Sequence, residues 1–121
     1  QDVYYRNRPV AYQQLALCAE KLDKQEEIVP LYQKALTIDP SFYPALHEMA
    51  SYYYNQGSYA EAQKYLDAYR AKTKKSSAAS LLLGVKLSRI FHDKNNEASY
   101  ALALKNLYPK SQEYLEYLSL Q

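Results

Sequence analysis

The feature that most restricts what this chain can fold into is a repeat of apolar and small residues at a spacing of 34. Tyr12, Leu15, Ala16, Ala19, Ile28, Tyr32 and Ala35 are matched 34 positions later by Leu46, Met49, Ala50, Tyr53, Ala62, Leu66 and Tyr69. Within each set the residues fall three or four apart, so each set marks one face of two successive helices. Asn55-Gln56-Gly57 supplies a turn between the two helices of the second set. Alternation of large and small residues lets one helix of a pair sit close to the other, so the pattern specifies packing as well as helicity. A unit of this size cannot bury its apolar face alone and must stack on a neighbour.

Two short amphipathic helices with these offsets match the tetratricopeptide pattern. The fold class expected is all-α, a tetratricopeptide-repeat superhelix of antiparallel helix pairs ending in a C-terminal capping helix. With 2 Gly and 5 Pro in 121 residues, the chain is neither loop-rich nor disordered, and its 48% apolar share must form a continuous interhelical seam. β-Branched residues are too sparse for a sheet protein.

A single domain over residues 1–121 is expected, with residues 1–8 as the end of an upstream repeat or linker. Repeats follow at 9–40 and 41–75, then a divergent repeat at 76–109 that departs from the 34-residue spacing by a residue or two, and a capping helix at 110–121. In the first repeat, helices are expected over 10–21 and 24–38, the second capped by Asp23 with Glu26 completing a capping box and interrupted near Pro30. In the second repeat Ser41 is the expected cap, Pro44 fits a first helical turn, and helices run over 43–56 and 59–72. The divergent repeat should hold helices over 77–92 and 97–107, with Gly84 at a close approach and Asp93 to Asn96 as the turn. Ser111 then caps a helix whose Tyr114, Leu115 and Leu118 form the covering stripe.

Catalytic chemistry finds no support. His47-Glu48 starts like a zinc-protease motif, but Ser51 stands where the second His is required. His92-Asp93 fits a cation and cap at a helix end, and Cys18 fits a small packing residue without a His partner. Two glycines leave no phosphate-cradling loop. The chain reads as no enzyme, with no cofactor and no metal.

The formal net charge of +2 points to no polyanion, although residues 64–94 carry eight basic residues against Asp67 and Asp93. Cations of the stretch Arg70 to Lys75 fit a helix C-terminus, with contact to an acidic or anionic surface as the alternative. The 15 Tyr would suit base stacking, but Tyr12, Tyr32, Tyr53, Tyr59 and Tyr69 fall on packing positions and the basic cluster is not interleaved with them. No nucleic-acid partner is expected. Tyr52, Tyr53 and Tyr54 cannot all share one face. Tyr53 belongs to the seam, and its two neighbours point elsewhere.

Helical repeats of this type bind segments along a groove lined by the first helix of each pair. The protein-binding candidates on that face are Val10, Gln13, Leu17, Glu20 and Lys21, then His47, Ser51, Tyr54 and Asn55, then Leu81, Val85, Ser88 and Arg89. Gln13 and Leu17 stand where chaperone-binding members place Lys and Asn to clamp a terminal carboxylate, which disfavours that partner. An extended or helical protein segment suits the mixed lining.

Residues 80–91 (SLLLGVKLSRIF) and 98–114 (ASYALALKNLYPKSQEY) resemble the C-terminal end of the PilF/PilW family of type IV pilus biogenesis lipoproteins, the pilotins. The resemblance extends back through residues 46–69 to Tyr5, Arg8 and Val10. It implies a non-catalytic scaffold that serves outer-membrane localisation and assembly of the secretin PilQ, the implied partner. It further implies a location at the periplasmic face of the outer membrane, with the membrane reached only through an N-terminal lipid that this chain does not include. No family residue role is carried over. The alternative is a general tetratricopeptide adaptor in the cytoplasm with an unrelated protein partner.

Overall fold

The computed structural model describes residues 8–121, so the expectation for residues 1–8 falls outside it except at Arg8. Seven helices are present among the described residues: α1 (Pro9–Lys21), α2 (Gln25–Ile38), α3 (Tyr43–Asn55), α4 (Tyr59–Lys72), α5 (Ala78–Ile90), α6 (Lys94–Leu107) and α7 (Gln112–Ser119). They pack as three antiparallel pairs, α1/α2, α3/α4 and α5/α6, stacked through α2 on α3 and α4 on α5, with α7 against α5 and α6. The repeat therefore builds the all-α superhelix that its spacing implies.

Each pair closes with the same turn. Lys24 N–H donates to the Ala19 carbonyl at 2.8 Å, Ser58 to Tyr53 at 2.9 Å and Asp93 to Ser88 at 2.8 Å, each spanning a residue in the left-handed region. Those residues are Asp23 (φ 58), Gly57 (φ 82) and His92 (φ 56). Together with the neighbouring bonds Asp23 to Glu20, Gly57 to Tyr54 and His92 to Arg89, this is the Schellman arrangement that satisfies the last carbonyls of a helix. Only the middle turn uses the residue type that adopts this conformation without strain.

This geometry corrects several expected caps. Asp23 closes α1 instead of capping α2, whose N-cap is Lys24 with no side-chain bond, so no capping box with Glu26 forms. His92 likewise closes a helix from the left-handed position. Ser41 does not cap α3; its N–H and hydroxyl both donate to Asp39 Oδ1, at 3.0 and 2.7 Å, and Phe42 is the N-cap. Asp93 is not merely a turn residue, because its carboxylate accepts from Asn96 N–H and α6 begins at Lys94, three residues earlier than expected. Helix α2 runs unbroken through Pro30. Ser111 does cap α7, accepting from Tyr114, whereas Ser77, expected as the first residue of its helix, is the N-cap of α5 and accepts from Ser80.

Two clusters form the core. One joins the first pair to α3 through Ala16, Ile28, Tyr32, Ala35, Ala45 and Met49; the other joins α3 and α4 to the third pair through Leu46, Leu66, Tyr69, Val85, Leu87 and Leu104. Tyr53 packs on both and lies parallel to Tyr65, ring centroids 5.6 Å apart, which is the seam role its spacing assigned. Tyr52 contacts the first cluster and Tyr54 the second.

One seam position fails: Leu15 is 50% exposed although its counterpart Met49 is fully buried. Met49 lies on α3, which has α2 on one side and α4 on the other, whereas α1 has substantial contact with α2 alone. Cys18, also expected to pack, is exposed beside the buried Ala16 and Ala19.

The third pair is held by specific contacts. Gly84 lets α6 approach α5, since a Cβ there would meet the Tyr100 ring at 2.5 Å. On its other side the same ring carries the Arg70 guanidinium at 4.8 Å, and Arg70 Nη1 donates to the Tyr100 hydroxyl at 2.8 Å. Tyrosines also pin the hinge between α4 and α5. Ser77 N–H donates to the Tyr69 hydroxyl oxygen at 3.1 Å, and the Tyr108 hydroxyl donates to the Ser76 carbonyl at 2.7 Å.

Helix α7 attaches through polar and aromatic contacts. Lys86 pairs with Glu116 at 2.8 Å, Arg89 donates to the Leu120 carbonyl at 3.2 Å, and Tyr114 and Tyr117 pack toward the core. The expected covering stripe is therefore only partly correct: Leu115 and Leu118 are 56% and 47% exposed, and Tyr117 takes the place assigned to them.

Candidate protein-binding groove

The first helices of the second and third pairs, α3 and α5, together with α7, enclose a concavity of about 280 Å³. α3 contributes Ser51, Tyr54 and Asn55, α5 contributes Leu82, Leu83 and Lys86, and α7 adds Glu113 and Glu116. Tyr54 is half-buried and steadied by the Tyr59 ring, 5.5 Å away at 58°, so an aromatic wall stands in fixed orientation. Opposite it is the Lys86–Glu116 pair. Both side chains are partly exposed, so the pair contributes at most about 1 kcal/mol and opens readily to a competing polar group. Apolar floor, aromatic wall and an exchangeable ion pair are the features that a bound peptide segment uses.

Of the residues expected on this face, the structure brings Ser51, Tyr54 and Asn55 together in the concavity. His47 lies one turn earlier on α3, half-buried, with its ring 5.4 Å from Tyr69 and Nδ1 3.7 Å from Glu48. Gln13 and Leu17 are half-buried on α1, while Val10, Glu20 and Lys21 are exposed there, and none of them lines this concavity. Glu20 does approach the second pair. Burial first, and then the nearby Glu48 charge, push its carboxyl above the usual range.

Leu81, Val85 and Ser88 are not groove residues. Val85 is fully buried and Leu81 is 5% exposed, because the third pair is offset from the second by 35 residues and these two take the core positions of Ala50 and Leu46. Leu82 and Lys86 stand where His47 and Ser51 do on α3. Arg89 is committed to structure: its Nε pairs with Glu97 Oε2 at 2.6 Å and its guanidinium lies 6.0 Å from the Tyr117 ring centroid.

Lys86, Glu113 and Glu116 line the concavity and are not among the residues expected there. Lys86 stands 35 residues after Ser51, a position that a strict 34-residue spacing passes over, and the repeat gives no position to the acidic pair on α7, a helix outside the repeats. Among the described residues no group of His, Cys, Asp and Glu is arranged to hold a metal ion, and no helix is long and apolar enough to cross a membrane.

Comparison with known proteins agrees with this architecture. Residues 25–84 match the tetratricopeptide repeat family. The type IV pilus assembly protein PilF of Pseudomonas aeruginosa is 34% identical over 117 residues, 97% of this chain and 46% of that protein. A solved structure of Pseudomonas aeruginosa PilF superposes with a TM-score of 0.88 at 32% identity, over 100% of this chain and 54% of that one. PilW, described as a widely conserved type IV pilus biogenesis factor, superposes with a TM-score of 0.76 over 91% of this chain and 50% of that one, and at 24% identity it speaks for the fold alone. The chain spans about half the length of the relatives it matches. A tetratricopeptide superhelix that follows PilF in sequence and backbone over almost all of its own residues resembles the type IV pilus assembly protein PilF across that half of it.

Proposed function

We propose that this chain is a non-catalytic protein-binding scaffold in type IV pilus biogenesis, serving as a pilotin for outer-membrane localisation and assembly of the secretin PilQ. The observation that carries the reading is the 34% identity to the type IV pilus assembly protein PilF across 97% of the chain. The groove of α3, α5 and α7 supports it, because a scaffold needs a rigid surface and no reacting groups. In this reading the full-length protein is lipid-anchored at the periplasmic face of the outer membrane, and the lipid, not the repeats, carries the secretin complex there.

The test is retention of soluble PilQ from the same source on the immobilised chain, beside the Tyr54→Ala variant. Retention by the parent and a loss of about tenfold in the variant is the expected result, since an aromatic anchor truncated at a groove costs about 1.4 kcal/mol or more. No retention by the parent overturns the pilotin reading. Equal retention by both removes Tyr54 and its groove from the site.

A further inference from the structure

Separate from the groove, the second helices α4 and α6 and the hinge between α4 and α5 enclose a cleft of about 480 Å³. Its rim carries Arg70, Lys74 and Lys75, and its floor is formed by Leu81, Tyr100 and Leu107. No carboxylate lines it. None of the three cations comes within salt-bridge distance of a carboxylate among the described residues.

The acids of this region are directed elsewhere. Asp67 and Asp93 line an adjoining cavity that shares Arg70, Asn96 and Tyr100 with the cleft. There Asp67 accepts from the Gln63 amide at 2.9 Å, and Asp93 caps α6. Three of the eight basic residues in this part of the sequence are thus gathered at one concave place. Aromatic rings hold two of the cations: Arg70 on Tyr100, and Lys75 Nζ 5.3 Å from the Tyr108 ring centroid. Those rings orient positive charge without neutralising it.

We infer that this cleft is a second protein-docking site, for an acidic segment that places Asp or Glu side chains on the Arg70, Lys74 and Lys75 rim and an apolar side chain on the Leu81, Tyr100 and Leu107 floor. Three cations, of which Lys74 and Lys75 line this carboxylate-free cleft and not the adjoining cavity of Asp67 and Asp93, match a segment with several carboxylates better than the single charge of a chain terminus. The volume lies in the range of pockets that enclose a small group. Leu81 and Tyr100 are each 5% exposed at the base of the cleft, with Leu107 at its edge, and a base so recessed favours an inserted side chain over a bilayer surface, which presses on protruding apolar residues. This assignment does not depend on the identity of the groove's partner.

The test uses the whole chain and a fluorescent peptide, Glu-Asp-Leu-Phe-Asp-Glu, with its Gln/Asn counterpart as control, read by anisotropy. Expected are binding of the acidic peptide alone, weakening as salt is raised, and a loss of about tenfold in Lys74→Glu/Lys75→Glu. Leu107 is half-exposed, so Leu107→Ser should fold normally and lose several-fold affinity through the floor. The inference is overturned by absence of binding, by equal binding of the neutral peptide, or by unchanged affinity in both variants. It is equally overturned if phosphatidylglycerol vesicles capture the chain while the peptide does not.

Discussion

Helices α3 and α5 occupy the same place in successive pairs but do different jobs. The closing turns at Gly57 and His92 are 35 residues apart, so Ser51 and Tyr54 of α3 correspond to Lys86 and Arg89 of α5. Ser51, Tyr54 and Lys86 line the groove, whereas Arg89 is held by Glu97 and the Leu120 carbonyl. The difference comes from the neighbours. α5 lies among α4, α6 and α7, whereas α3 lies between α2 and α4 and leaves one face open. The terminal helix α7 adds Glu113 and Glu116 to the groove, and the Leu120 carbonyl after it ties up Arg89; α3 supplies the aromatic side chain, and α5 the apolar floor and Lys86. Repeat position alone does not say which residue binds.

The largest effect should separate the groove face of α3 from the core face of α5 directly. Val85→Asp places an unpaired carboxylate in a fully buried site and is expected to cost roughly 4 kcal/mol or more, melting the third pair. Ser51→Asp on the open face should stay within about 1 kcal/mol. Circular dichroism melts of the two variants decide it, and equal losses would mean that the α3 face is also core.

Next in size is a comparison of the two glycines. Gly84→Ala forces a Cβ against the Tyr100 ring and should destabilise by about 1–3 kcal/mol despite the better helix propensity of Ala. Gly57→Ala meets nothing within 4 Å and should cost only the left-handed backbone penalty, about 1 kcal/mol. Urea midpoints that place Gly57→Ala below Gly84→Ala would show that α5 and α6 adjust to the added methyl.

His92 sits in that same left-handed conformation without glycine's freedom. His92→Gly should therefore stabilise the third pair by about 1 kcal/mol. A lower melting temperature would show that the His92 side chain contributes something the turn geometry does not reveal.

The smallest neutral-pH effect belongs to the first pair. The Tyr32 hydroxyl is buried with no hydrogen-bond partner among the described residues, so Tyr32→Phe should change stability by less than about 1 kcal/mol at pH 7. Burial, and then Glu48 and Glu20, push the Tyr32 phenol far up, and burial is also the leading cause raising Tyr53, Tyr65 and Tyr100. A phenol whose folded pKa is raised contributes stability that is complete below its unfolded value. That stability is lost as pH rises through the folded one, so the parent should weaken above about pH 10. Tyr69 acts in the opposite sense, because burial raises it but hydrogen bonds from Ser77, Ser80 and Thr73 together outweigh that and hold it low. Denaturation at neutral and alkaline pH should show Tyr32→Phe losing less stability than the parent. An identical alkaline loss in both would exclude Tyr32 as a contributor.

The sequence by itself determined the helix pairs, because a 34-residue period at three-and-four spacing admits one local geometry and one way of stacking. It also determined the Ser111 cap, the close approach at Gly84 and the seam role of Tyr53, since each depends on neighbours fixed by helical spacing. Only the tertiary structure decided which residues of α5 reach the groove, because the third pair is offset by 35 residues and Leu82 and Lys86, not Leu81 and Val85, take the positions of His47 and Ser51. The acidic edge of the groove depends on α7, an element outside the repeat, and no periodicity reports where such a helix lands. The turns were decided in the same way. Asp23 reads as an N-cap when only the following helix is considered, yet it closes the preceding one, because the pairing of α1 with α2 demands a left-handed residue there more strongly than α2 demands a cap.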